Sequence, residues 1–169
     1  MPKPELATVP PFYHNYIRQV QQEALTEAIR INTGEVLSVF DAMPPQKWNY
    51  RYAEGKWTVK ELLQHMIDTE RIFCYRALRF ARKDQTPLPG FDENLYASTA
   101  NAGHRNEDEL LAEFKAVREA SAFLFRSFDD EQLSATGVSN NNPISVNAIG
   151  FILAGHAKHH LNILQERYL

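Results

Sequence analysis

The chain carries one cysteine among its 169 residues, Cys74. A lone cysteine excludes an internal disulfide framework and suits a reducing compartment. Basic charge is not in excess either, since 18 Lys and Arg stand against 21 Asp and Glu for a net charge of −3. With no basic tail, and with acids interspersed among the bases, there is no electrostatic case for nucleic acid. Hydrophobic runs fall well short of the roughly 18–20 apolar residues that a membrane span needs. Met1-Pro2-Lys3-Pro4 leads into polar sequence without the apolar centre of a secretory signal. Together these absences set the expectation of a cytoplasmic protein with no membrane and no nucleic-acid partner. Strand-like alternation of convincing length is missing as well.

What the sequence does have is helical periodicity. Its length suits one domain, over residues 1–169, with a full hydrophobic core. A first helix is expected over residues 13–43, between Pro10-Pro11 and Pro44-Pro45, with a kink or break near Asn32-Thr33-Gly34, where helix propensity drops. A second starts after Thr58, whose partner three residues on, Glu61, completes a capping-box pattern, and runs to about residue 83. Cys74 lies on its apolar face as a small core residue. Arg76, Arg79, Arg82 and Lys83 follow helical spacing and read as a solvated face. Residues 84–103 then form a long connection, with Pro87-Leu88-Pro89-Gly90 and one helical turn around residues 93–97, expected to lie across one end of the bundle. A third helix spans about 107–128. The fourth runs from about 145 to 169, after the polar, turn-rich stretch from Gly137 to Pro143. Four amphipathic helices of this length make an all-α four-helix bundle with a long connection between helices two and three.

The fourth helix contains an anomaly. Its apolar stripe is Val146, Ile149, Ile152, Leu153, Ile163 and Leu164, and His156 and His160 fall in the middle of it. Imidazoles facing a core are costly unless something satisfies them. Two at i, i+4 point the same way and can grip one metal ion, and packing alone is the competing account. Lys158 lies on the opposite face and His159 at the edge of the stripe. His65, on the flank of the second helix, can reach a groove between helices, giving three imidazoles from two helices. Three histidines leave coordination positions open for solvent or substrate, as catalytic sites do. A zincin protease is excluded by Ala157, which stands where its general-base glutamate belongs. His14 and His104 sit at helix or loop margins.

Glu70 is the second anomaly, at the centre of an apolar stripe between Met66/Ile67 and Phe73/Cys74. It needs a partner. A buried pair with Arg118 is one reading, and a metal ligand or base is the other. Asp92 and Glu93 in the long connection are candidates to approach the histidines, whereas Asp68 faces away. No serine or cysteine nucleophile with an adjacent base can be made out.

With these residues in place, the chain resembles the DinB-like superfamily of metal-binding four-helix bundles. The most specific stretches are Gly55 to His65, Asp68-Thr69-Glu70-Arg71, Pro89-Gly90-Phe91-Asp92, and Gly155-His156 through Tyr168-Leu169. The resemblance implies that His65, His156 and His160 hold one divalent metal per chain, with zinc, nickel and iron all suited to three imidazoles and solvent. It implies that His159 is an accompanying histidine outside the metal's ligands. Relatives of known activity are thiol-dependent. The expected chemistry is therefore a low-molecular-weight thiol bound as thiolate, which attacks a small electrophile. The chain departs from many relatives at Ile163, where they carry glutamine. A homodimer is expected. The rival expectation is a stress- or damage-associated metal-binding or interaction module without turnover. An enzyme should show an open coordination position and a pocket of roughly 300–1,000 Å³. An interaction module can instead fill the metal's sphere with a loop carboxylate and present a flat apolar face.

Overall fold

The structure is a computed structural model describing residues 1–169. Its helices begin with α1 (His14–Gln19) and α2 (Leu25–Asp41). The single helix expected over residues 13–43 is therefore two, and the break lies earlier than Asn32-Thr33-Gly34. Val20 leaves helical geometry at φ −89°, ψ 119°, and Ala24 is still extended at φ −97°, ψ 125°. Tertiary packing overrides local propensity here. Asn32 is buried, and Thr33 returns its hydroxyl to the Ile29 carbonyl at 2.6 Å, so α2 runs through the low-propensity triplet.

The capping box forms as expected and starts α3 (Val59–Ala81). Glu61 N–H donates to Thr58 Oγ1 at 3.2 Å, and Thr58 N–H donates to the Glu61 carboxylate at 2.7 Å. The long connection contains α4 (Glu93–Thr99), N-capped by Asp92. Asn106 caps α5 (Glu107–Arg126), and α6 (Asp130–Ser134) follows after a short turn.

A hairpin of β1 (Thr136–Ser139) and β2 (Asn142–Ser145) occupies the turn-rich stretch. It pairs antiparallel from Thr136 opposite Ser145 to Ser139 opposite Asn142. Its turn residues Asn140 and Asn141 have φ 49° and 60°, the left-handed pair that two-residue hairpin turns require. Strands four residues long are too short to print an alternation on the sequence. Ser145 then caps α7 (Val146–Arg167). The hairpin also straps the long connection: Leu88 N–H donates to the Val138 carbonyl at 2.9 Å, and Asn140 N–H donates to the Leu88 carbonyl at 3.0 Å.

The four long helices form a ring in which α2 packs on α5 and α7, and α3 packs on α5 and α7. Consecutive helices α2 and α3 are thus diagonal, as are α5 and α7, so the topology is not simple up-down. α1 lies against α7. That contact depends on Gly155, because a Cβ there would sit 2.1 Å from the Tyr16 carbonyl oxygen. No helix is long and apolar enough to cross a membrane.

The apolar interior divides in two. One cluster gathers Leu25, Ile29, Phe73, Phe80, Phe125 and the first half of α7. The other gathers Val36, Phe40, Leu62, Leu63, Phe114 and the second half of α7. Between them lies a buried polar waist of Asn32, His65, Thr69, Glu70, Arg118, Ser121, His156 and His160. Both sequence anomalies fall in this layer.

Candidate metal centre

His65 on α3 and His156 and His160 on α7 converge, all three buried. His65 Nε2 and His160 Nε2 each lie 3.0 Å from His156 Nε2. α3 and α7 pack directly and antiparallel. Leu62 and Ile163 share one cavity wall, while Phe73 and His156 share another. The flank position of His65 and the core position of the i, i+4 pair are what make the three nitrogens meet.

Aromatic rings hold the imidazoles in place. Trp57, at the approach to α3, is tilted over His65 at 4.6 Å between centroids. Tyr16 and Phe73 meet His156 edge-on at 5.5 and 5.9 Å. His159, half-buried, packs its ring against Tyr16 and His160 and is not one of the convergent donors. Trp57, Tyr16 and Thr69 were not singled out from sequence. Trp57 stands before the helix, and Tyr16 belongs to another element.

The electrostatics favour neutral rings. Burial pulls the His65 pKa down to about 4, with His159 adding to the effect. Burial also holds His156 and His160 well below the ordinary histidine range, reinforced by the neighbouring imidazoles. The ring nitrogen that accepts has a single in-plane lone pair. His156 Nε2 faces two other Nε2 atoms at 3.0 Å, so hydrogen bonding alone cannot satisfy all three. A divalent cation can, because it accepts one lone pair from each neutral ring. The donor set fits such an ion. Outside the cluster, Thr69 Oγ1 lies 3.4 Å from His65 Nδ1, and His160 Nδ1 is buried without a partner.

The acids divide as follows. Glu70 pairs with Arg118 at 3.2 Å and accepts from Ser121 Oγ at 2.6 Å, so the buried-pair reading is the one that forms. Arg118 also donates to Asn32 Oδ1 across the core. Burial raises the Glu70 pKa, against the opposing pull of Arg118 and Ser121. Asp92, expected as a candidate near the histidines, is exposed and caps α4 through Asn94 and Leu95 N–H, both at 3.0 Å. No carboxylate joins the three histidines. Cys74 is buried enough to push its thiol to about 12 and lies 3.2 Å from Ser121 Oγ, as suits a packing residue. Arg76 departs from expectation: it is buried, Arg79 is half-buried, and only Arg82 and Lys83 of its cluster are exposed.

Two cavities reach the triad from opposite ends of the α3–α7 groove. One of about 60 Å³ touches His156 and is bounded by Tyr13, Tyr16, Phe73 and Arg76. The other, of about 220 Å³, touches His160 and is bounded by Trp57, Ile163 and Tyr168. Each is smaller than the pocket expected of an enzyme. The first residues of α4 separate them, Glu93 lining the first and Asn94 the second.

Comparison with known proteins agrees with this geometry. Residues 28–164 match the model of the DinB superfamily. A protein of Oceanobacillus iheyensis named "Putative metal-dependent hydrolase OB0413" is 26% identical over 160 residues, covering 94% of this chain and 86% of its own length. YfiT from Bacillus subtilis, described as "a probable metal-dependent hydrolase with an unusual four-helix bundle topology", superposes with a TM-score of 0.75 at 15% identity. That match covers 84% of this chain and 82% of YfiT. The mycothiol-dependent maleylpyruvate isomerase superposes at 0.66 with 13% identity, over 85% of this chain and 59% of its own. At these identities the solved structures establish a shared fold.

Proposed function

The chain belongs to the DinB superfamily, and from that premise we propose a metal-dependent enzyme that transfers a low-molecular-weight thiol to a small electrophile. The observation that carries the reading is the convergence of three buried, neutral Nε2 atoms with no carboxylate among them. A divalent ion held by His65, His156 and His160 supplies a positive charge that lowers the pKa of a thiol or water at its remaining positions.

The chain's own residues set what can be done there. The aromatic rings of Trp57, Tyr16 and Phe73 pack against the imidazoles and hold their orientation. Ile163 gives the larger cavity an apolar wall beside His160, suited to a soft sulfur. No carboxylate converges with the three ring nitrogens, and the one acid in the cavity beside His156, Glu93, is exposed at its wall, which favours the more acidic thiol as the nucleophile. The resemblance of fold to a mycothiol-dependent isomerase supports the same choice. Hydrolysis is the second reading, supported by the descriptions of OB0413 and YfiT and by the lack of a fourth protein ligand beside the three histidines. Asp92 caps α4 and does not join the three histidines, which weighs against the form of the interaction-module account in which that loop carboxylate fills the metal's sphere.

The first test is elemental analysis of untagged protein with its His65→Ala and His156→Ala variants. About one metal per chain, absent from both variants, is the expected result, followed by thiol consumption when candidate electrophiles are added. Wild-type protein that takes up neither zinc nor nickel would sink the reading. Turnover of esters or amides without added thiol would move it to hydrolysis.

A further inference from the structure

The small cavity beside His156 contains a charge that the proposed chemistry does not use. Arg76 lines it and is only 4% exposed. Its guanidinium donates to the Pro89 carbonyl at 2.7 Å, and Tyr13 lies beside it in the cavity wall. Neither contact is a counter-ion, and no carboxylate offsets its burial. Burial accordingly holds its pKa below the usual arginine value. A buried cation lacking an anion is an expensive arrangement, and it persists most readily where a ligand brings the opposite charge. Glu93, the one acid at this cavity, is exposed at its wall, where solvent screens it.

The surroundings define the rest of the ligand. Tyr13, Tyr16, Phe73 and Phe91 supply aromatic walls, and His156 stands at the inner end. One helical turn or less separates Arg76 from Phe73, which itself meets the His156 ring at 5.9 Å. The site therefore pairs one buried cation with a small, partly aromatic cavity that ends at His156. The larger cavity, on the His160 side, has no buried arginine among its walls.

Resting on the reading of the triad as the reactive centre, we propose that Arg76 is the anchor for a small carboxylate-bearing substrate, which enters on the His156 side. The other reactant takes the His160 side. Arg76 is a specificity residue here, binding the end of the substrate remote from the triad. Its planar fork suits a carboxylate, whereas a lysine offers only a point charge.

The test is calorimetric titration of zinc-loaded and metal-free protein with propionate and with neutral, nearly isosteric propionamide. Saturable binding of propionate, with propionamide at least tenfold weaker, is expected. Arg76→Gln should lose the preference at unchanged zinc content, and Arg76→Lys should recover part of it. Equal binding of the two probes by the wild type overturns the proposal without reference to any variant. Propionate binding that survives Arg76→Gln also overturns it. Zinc stoichiometry, measured on the same samples, separates the two readings. Protein that prefers propionate but takes no zinc supports the anchor and removes the metal centre, and the reverse pattern does the opposite.

Discussion

The polar waist contains two clusters that solve burial in opposite ways. On the α2–α5 side, Glu70, Arg118, Asn32 and Ser121 are charged or strongly polar and bond to one another. On the α7 side, His65, His156 and His160 are neutral and confront one another with lone pairs they cannot share. In the first cluster every charge has a protein partner, although Arg118 Nε and Asn32 Nδ2 make no hydrogen bond and Arg118 Nη1 meets Glu70 only as an ion pair at 3.2 Å. The second is complete only with something added. Polar residues in a core are thus of two kinds. Those that close on themselves hold helices in register, and those that do not are where a ligand belongs.

The comparison breaks most sharply if one half of the ion pair is removed. Glu70→Ala or Arg118→Met should each cost about 3–5 kcal/mol by urea unfolding, because the remaining charge is stranded. The double variant Glu70→Leu, Arg118→Met should recover most of that loss. Neither single change should reduce zinc bound per folded chain. Singles that unfold no more easily than wild type would mean the cluster closes nothing.

Acid should separate the clusters next. An unfolded histidine takes up its proton near 6.5, and buried His65 resists protonation until about 4. The neutral ring therefore contributes fully above pH 6.5, and its contribution falls as pH drops to about 4, by on the order of 3 kcal/mol for metal-free protein. Glu70, with its pKa raised, works the other way as pH falls. Subtracting the stability profile of His65→Gln from that of wild type isolates the imidazole. A difference that stays flat between pH 7 and 4 would contradict its burial as a neutral ring.

The smallest effects sharpen the contrast within single hydroxyls. Ser121 meets the Glu70 carboxylate at 2.6 Å, and Ser121→Ala should cost about 1.5–3 kcal/mol. Thr69 approaches His65 Nδ1 only to 3.4 Å, and Thr69→Val should cost less than about 1 kcal/mol. Thermal unfolding of the two metal-free variants side by side measures the difference.

Much of this was legible in the sequence. The anomalies at His156, His160 and Glu70 could be found because a polar residue on an apolar stripe violates a period. Thr58 and Glu61 announced α3 because capping is local chemistry. Asn32 was read as a weak point in a helix when it is a partner of Arg118, since propensity carries no information on what lies across the core. Arg76 has the spacing of a solvated face, because helical spacing identifies the face but not the Pro89 loop and the Tyr13 ring that cover it. The hairpin and the split between α1 and α2 escaped for a related reason. Four-residue strands and a bend fixed by neighbouring helices leave little periodic signal.

Gly155 gives the site an adjustable entrance. It stands directly before His156, and the backbone of Tyr16 rests on its bare Cα. One added carbon has nowhere to go except by lifting α1, and with it the Tyr16 ring that walls the small cavity. Permeability and donor geometry are therefore controlled by different atoms. Gly155→Ala should leave three histidines that still load zinc while chelators strip it several-fold faster, so that how long an ion stays can be tuned without altering what binds it.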